Sequence, residues 1–466
     1  MSNERALFVT KLGGILAAVG SAVGLGNIWR FPYETGQNGG AAFLLIYVLC
    51  VLMLGTPLML AELTLGRASH SNAVGAFRRL APGTPWWITG VVGAVGVLLI
   101  VGFYSVVAGW TFHYTTTSVL DKLSEQDFAA YSQSAGLPFL YMTGFVLLNS
   151  LILLGGVRKG IERWSNILMP IMGALMLMLC INSLLLPGSV EGLKFLFQPD
   201  FSRITGKVIL SAMGQSFFSI SMGVGTLLIY GSYLPNSTKM GKTSLFICLV
   251  DTLIAILAGI IIFPACFAYG IHPDAGPGLA FITLPSVFLQ MPGGYVWSII
   301  FFVLLAIAAL TSSISMMECP IAILQEQLHI SRRRAVILVS IVAWVLGTGC
   351  CLSFCPDYAG WFTFAGYSLF DIFDKVTANF ILPLGGLLMA VFLGWQMDRK
   401  LLHDTLTNFG NDRGGYIPLF LFAVRYFAPI CILLIFLSGL GLLSLQLLIV
   451  NCSLLIINCY LLIVNC

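Results

Sequence analysis

Gly20-Ser21-Ala22-Val23-Gly24-Leu25-Gly26-Asn27-Ile28-Trp29-Arg30-Phe31-Pro32 is the stretch on which the reading of this chain turns. It belongs to an apolar segment of membrane length, yet it carries three glycines, an asparagine and an arginine. Glycine weakens a helix interior, and a polar or charged group at membrane depth is costly. A helix that unwinds mid-membrane and turns its freed backbone groups toward a ligand inside the protein resolves the conflict. The first apolar segment therefore points to a buried polar binding site.

The rest of the chain supplies the membrane context. It is 466 residues long, 58% hydrophobic and 9% charged, a balance that no soluble interior of this size can absorb. Apolar runs of about 20 residues recur, each long enough to cross roughly 30 Å of hydrocarbon. The segments lie at about 10–34, 41–66, 87–118, 137–156, 166–187, 207–233, 244–270, 296–328, 334–353, 372–396 and 416–441. The fold class is an all-α membrane protein of about 11 spans, forming a single transmembrane domain over residues 1–441.

With the N-terminus in the cytoplasm, all but six of the 23 lysines and arginines fall on inside segments; the six are Arg30, Lys122, Lys194, Arg203, Lys207 and Lys375. That asymmetry sets the expected orientation, in a bacterial inner (cytoplasmic) membrane. Glu4, Arg5 and Lys11 flank the first span, which is too rich in special residues to be a discarded signal peptide. The net charge of +4 says little about partners, and no nucleic-acid partner is expected. The 12 cysteines and five histidines are scattered, without metal-ligand or redox spacing. Leu447–Cys452, Leu454–Cys459 and Leu461–Cys466 form a seven-residue repeat within 442–466. It reads either as a helical packing seam or, preferably, as an appended low-complexity extension, and no function is assigned to it.

A second break lies in the sixth span, at Ser219-Ile220-Ser221-Met222-Gly223-Val224-Gly225-Thr226. One such segment could be close helix packing through small residues. Two, at corresponding positions of five-helix halves (about 10–187 and 207–396), point to a secondary transporter with 5+5 inverted repeats and a midplane site. Half-helix N-termini attract anionic groups, and freed carbonyls ligate cations. No HExxH, GxSxG or metal-ligand cluster suggests an enzyme.

With these marks in place, the chain resembles the neurotransmitter:sodium symporters, in particular eleven-span bacterial amino-acid members, over roughly residues 5–440. This family is itself a reference case for broken helices and inverted repeats. The resemblance rests on Gly24-Leu25-Gly26-Asn27 through Pro32, Asn38-Gly39-Gly40, Gly55-Thr56-Pro57-Leu58 with Glu62 and Gly66-Arg67, and Thr311-Ser312-Ser313. It implies two sodium sites. The first uses the Ala22 carbonyl, Asn27, Ser219 and Asp251, completed by a substrate carboxylate; the second uses carbonyls of Gly20, Val23 and Ala308 with the hydroxyls of Thr311 and Ser312. Taken alone, Thr311 and Ser312 could merely bond to backbone carbonyls of the preceding turn.

Many relatives carry Asn where Asp251 stands. An ionised Asp there supplies fixed negative charge beside sodium, which chloride-dependent relatives obtain from a bound anion. A chloride-independent relative has Glu where this chain has Ala255. The implied transport is chloride-independent.

Gly24 stands where monoamine-type relatives place Asp, so the substrate is expected to bring its own carboxylate, with Tyr104 as the matching hydroxyl. The ammonium would meet carbonyls near Ala22, Phe218, Ser219 and Ser221. With Gly26 at the break, the pocket would be lined by Ser21, Ile100, Phe218, Ser221, Val224, Ser312 and Met316, which offer no charge to a basic or acidic side chain. A hydrophobic or aromatic L-amino acid is the expected substrate. Arg30 and Asp374 match the outer gate pair, with Phe218 as the lid and Asp371 as a possible second partner. Arg5, Glu326 and Tyr233 match the inner gate. Glu62 is expected to hydrogen-bond the unwound part of span 6, whereas Glu318 has no partner evident from the chain. Gly160 and Pro170 have the spacing that similar bacterial transporters use to unwind the inner end of span 5, with a plain cytoplasmic cap as the other reading. The function implied is sodium-coupled symport by alternating access. The alternatives are an ion channel or a sodium-dependent amino-acid sensor without concentrative transport. Oligomerisation is left open.

Overall fold

The computed structural model describes residues 7–235, 237–271 and 276–439. Arg5 and the 442–466 repeat lie outside the described residues.

Nine helices among the described residues are long and apolar enough to cross a membrane. They are span 2 (Ala41–Ser69), span 3 (Trp87–Val119), span 4 (Gly136–Leu154), span 5 (Val157–Leu184), span 7 (Met240–Ala268), span 8 (Gly294–Gln327), span 9 (Arg332–Leu352), span 10 (Leu369–Gln396) and span 11 (Ile417–Ser438). The other two expected spans are broken. Span 1 is Lys11–Ala22 and Gly26–Gln37, bent by 48°. Span 6 is Gly206–Ser219 and Thr226–Tyr233, parted by residues 220–225.

The two breaks are built differently. In span 1, Thr10 caps the first half by accepting from the Gly13 amide, and Val23 ends it by turning extended. The chain rewinds at Gly26 as one wide π turn, and Pro32 enters the following helix in its first turn, where a missing N–H costs little. In span 6 the backbone enters the left-handed region at Ser221 (φ 53°), Gly223 (φ 89°) and Gly225 (φ 78°). Glycine adopts this region freely, whereas Ser221 is strained there. Gly223 is required twice over, because a Cβ there would run into the Leu382 carbonyl. Its amide donates to Glu62 Oε1 at 2.6 Å, so Glu62 satisfies a donor that the break sets free.

Span 5 departs from the sequence reading. It begins at Val157, not near residue 166, and its first turn, Val157–Glu162, is wound as a π turn instead of unwinding. Gly156 (φ 75°) opens the turn. Glu162 holds it by accepting from the amides of Val9 (2.8 Å) and Thr10 (3.0 Å). Arg158 joins Glu162 in anchoring the N-terminal stretch, its Nε donating to the Leu7 carbonyl at 3.1 Å.

Spans 3 and 8 form the centre of the bundle, with 67% and 72% of their most apolar stretches buried. Spans 4, 5 and 11 bury only 39% of theirs, as the lipid-facing periphery must. Both breaks face the two central spans. Between spans 9 and 10 a small antiparallel hairpin pairs Thr363–Phe364 with Tyr367–Ser368.

Candidate substrate and ion site

The end of the bundle carrying Lys11 and Arg332 is here the N-terminal face, and the end carrying Arg30 and Asp374 the far face. Between them a small cavity is lined by Ala22, Gly24, Leu25 and Gly26 of span 1, Ile100 and Tyr104 of span 3, Phe218, Ser219, Ser221 and Val224 of span 6, and Ser312 and Met316 of span 8, with Leu382 of span 10. The structure thus brings eleven of the twelve pocket residues named from the sequence to one cavity; the exception is Ser21. Ser21 offers its carbonyl to Ser312 Oγ at 3.5 Å. Leu25 and Leu382 line the cavity without having been expected there: Leu25 was read only as part of the Gly24–Asn27 motif, and nothing in the sequence separates Leu382 from a packing leucine. No charged side chain lines it. The Tyr104 hydroxyl accepts from the Leu25 amide at 3.3 Å, so the phenol stands over the break in span 1. Gly24 has no room for a side chain: a Cβ would lie 2.8 Å from Ser312 Cβ and 3.1 Å from the Tyr104 hydroxyl.

Beside the cavity lies a buried oxygen cluster. Asn27 Nδ2 donates to Ser219 Oγ (2.9 Å), to Asp251 Oδ1 (2.8 Å) and to the Asp251 carbonyl (3.1 Å). Ser219 Oγ donates to Asp251 Oδ2 at 2.8 Å and accepts from the Tyr47 hydroxyl at 3.0 Å. Asn27 Oδ1 accepts from the Gly24 amide at 3.2 Å. Asp251 is fully buried, and every group bonded to its side chain is neutral. No lysine or arginine among the described residues pairs with it. A buried carboxylate without a cation is costly, and the oxygens of Asp251, Ser219 and Tyr47 suit a small hard cation, whereas Asn27 turns its Nδ2 to them and its oxygen to the Gly24 amide. Tyr47 is a member that sequence reading missed; it comes from span 2, and only packing puts it there.

The second set of oxygens lies where spans 1 and 8 touch. A Cβ on Gly20 would sit 3.4 Å from Thr311 Cβ, which places the two residues face to face. Thr311 Oγ1 donates to the carbonyls of Ile307 (3.1 Å) and Ala308 (3.2 Å). This is the back-bonding common to hydroxyls in membrane helices.

At the far face, Arg30 Nη1 lies 3.8 Å from Asp374 Oδ1, and its Nε lies 3.8 Å from Glu34 Oε1. The guanidinium stacks over the Phe218 ring at 4.1 Å. Asp371, considered above as a second partner, is instead taken by Ser368, whose hydroxyl donates to Asp371 Oδ2 at 2.7 Å and accepts from its amide. Ser368 therefore caps the start of span 10, and the Asp371 carboxylate bonds back to that cap. The second carboxylate near Arg30 is Glu34, one turn along the same helix, a spacing legible in the sequence.

At the N-terminal face, Glu318 finds its partner in Arg332, whose Nη1 and Nη2 fork onto the carboxylate at 2.8 and 2.7 Å. The Tyr233 hydroxyl donates to the same carboxylate at 2.9 Å. Glu326 accepts from Ser71 Oγ (3.2 Å) and from the Asn72 amide (3.0 Å) and side chain (2.9 Å). Its expected pairing with Arg5 lies outside the described residues. Phe8 packs against this wall, stacked on Tyr230 with centroids 5.7 Å apart, and its amide donates to the Tyr233 carbonyl at 2.9 Å.

The profile of the Sodium:neurotransmitter symporter family matches residues 5–135 and 129–447, nearly the whole chain. This chain belongs to that family. The uncharacterized sodium-dependent transporter YhdH of Bacillus subtilis (strain 168) is 36% identical to it over 452 residues, covering 95% of this chain and 100% of YhdH. The sodium-dependent serotonin transporter of Drosophila melanogaster is 30% identical, over 74% of this chain and 65% of that protein. Among solved structures, MhsT in complex with L-phenylalanine is 40% identical, with a TM-score of 0.86 over 93% of this chain and 100% of MhsT. The symporter family consists of transporters and not enzymes, and its members use sodium. For a sodium:neurotransmitter symporter, two broken spans around one cavity are the working parts of a carrier.

Proposed function

We propose that this family member couples inward sodium flow to uptake of a hydrophobic or aromatic L-amino acid, without chloride. The observation that carries the reading is Asp251: a buried carboxylate with only neutral partners, beside a cavity without charged side chains. Two sodium ions are the cargo. One is held by Asp251, Ser219, Asn27 and the Ala22 carbonyl and completed by the substrate carboxylate. The other is held by Thr311, Ser312 and the carbonyls of Gly20, Val23 and Ala308. The shared carboxylate couples ion binding to substrate binding. Asp251 supplies the negative charge that would otherwise have to come from an anion, hence independence from chloride. The Tyr104 hydroxyl and the first turn after Gly26 orient the substrate carboxylate. The apolar walls favour an apolar side chain and penalise a charged one. A neighbour solved with L-phenylalanine, MhsT, supports this substrate class.

Arg30, Asp374 and Phe218 close the far face, and Tyr233, Glu326 and Arg5 the N-terminal face, in alternation. The N-terminal face lies in the cytoplasm of a bacterial inner membrane, so that membrane potential drives positive charge inward.

Uptake of a radiolabelled L-amino acid panel into proteoliposomes tests the proposal. Phenylalanine, tyrosine, tryptophan or leucine accumulates only with an inward sodium gradient, equally in chloride and in gluconate. Preference for lysine or glutamate, or loss of uptake without chloride, overturns it. Gly24→Ala, whose methyl would press on Ser312 and Tyr104, lowers uptake at least about tenfold, corresponding to about 1.4 kcal/mol.

A further inference from the structure

Arg30 stands between two carboxylates that belong to different moving parts. Glu34 lies four residues along the same half of span 1, so it travels with Arg30. Asp374 belongs to span 10. The two contacts are equally long, 3.8 Å each, and neither is a closed hydrogen bond. Arg30 Nε, the atom facing Glu34, is buried and makes no hydrogen bond. Glu34 is held in place: Ser211 Oγ, from the first half of span 6, donates to Oε2 at 2.7 Å, and Asn38 Nδ2 lies 3.3 Å away. The stack of the guanidinium on Phe218 also ties Arg30 to span 6. Lys207 and Asn379 line the same cavity of about 370 Å³ at this face.

When the outer halves of spans 1 and 6 part from span 10, the Asp374 contact breaks while Glu34 stays one turn from Arg30. We propose that Glu34 is a positioning residue that takes the Arg30 guanidinium when Asp374 releases it, and so sets the balance between the open and closed far face. This rests on the gate reading above. A half-buried arginine left without a partner is penalised, and Glu34 removes more of that penalty in the open form, where it is the guanidinium's remaining carboxylate, than in the closed form, where Asp374 shares it. Glu34→Gln keeps an oxygen to accept from Ser211 but removes the charge. It therefore favours the closed form, whereas Asp374→Asn favours the open one.

The test uses the full chain in proteoliposomes, in sodium without amino acid. Asn379→Cys is labelled from the far face by a membrane-impermeant maleimide, with the parent chain subtracted for its own cysteines. Glu34→Gln in this background slows labelling about two- to fivefold, the span expected of one partly exposed ion pair, and Asp374→Asn speeds it. Loss of a merely structural contact would loosen the face and speed labelling, so the sign separates the two roles. Glu34→Ala, a second way to remove the charge, must also slow it. Unchanged or faster labelling in the Glu34 variants, with Asp374→Asn still fast, overturns the proposal and leaves the gate reading intact. No change in any variant overturns both.

Discussion

The ion pairs at the two ends of this transporter are made of the same residue types but differ in kind. At the far face Arg30 sits 3.8 Å from each of two carboxylates, with side chains 18–39% exposed. At the N-terminal face Arg332 forks onto Glu318 at 2.7 and 2.8 Å, and Glu318 is 1% exposed. Arg332 also donates to the Leu153 carbonyl from Nε (3.1 Å) and Nη2 (2.9 Å). A loose, partly wet pair contributes little and separates readily, whereas parting a buried, forked pair strands a charge. The far-face pair suits a contact that is made and broken in each cycle. The Glu318–Arg332 pair suits a fixed post that joins spans 8 and 9. What can leave that post is Tyr233, whose hydroxyl reaches it from the second half of span 6.

The largest effect should come from breaking the post. Arg332→Ala leaves Glu318 buried and unpaired and destabilises the protein by about 3–5 kcal/mol, measured by denaturation in detergent. Adding Glu318→Gln to that variant recovers most of the loss. A loss no larger than that of a surface pair would erase the distinction between the two ends.

Tyr233→Phe removes one hydrogen bond to a charged group, about 1.5–3 kcal/mol. Because that bond crosses from span 6 to the post, the variant also releases preloaded amino acid faster through the N-terminal face; unchanged efflux would mean the bond does not hold that face shut. Asp374→Asn sits at the small end, costing less than about 1 kcal/mol of stability while altering uptake. Its effect fades in about 1 M choline chloride, where the Debye length falls to about 3 Å, and that of Arg332→Ala persists. Equal salt sensitivity at both ends would contradict the burial difference.

Much of the site was legible because membrane depth leaves few solutions for certain residues. Gly24, Gly26 and Asn27 in one apolar run demanded a break, and the left-handed Ser221, Gly223 and Gly225 sit in the second one, as their composition required. Glu62 was read as a support for the unwound turn, and it takes the Gly223 amide. The failures have a common form. The wide turn at Val157–Glu162 fell between two apolar segments because Arg158 and Glu162 serve the N-terminal stretch. Asp371 looked like a partner for Arg30 because it lies three residues from Asp374, yet the helix start at Ser368 consumes it.

The family resemblance implied the apolar, carboxylate-bearing character of the site, and from sequence alone came the membrane class and the two broken spans. Those follow from the cost of glycine, polar groups and charge at membrane depth, a cost that acts on each residue where it stands in the chain. Only the tertiary structure decided partners: Arg332 for Glu318, Tyr47 for Ser219, Leu382 for the cavity wall, and Glu34 as the second neighbour of Arg30. Partnership depends on distances between packed helices, to a fraction of an ångström, and spacing along one chain does not encode them.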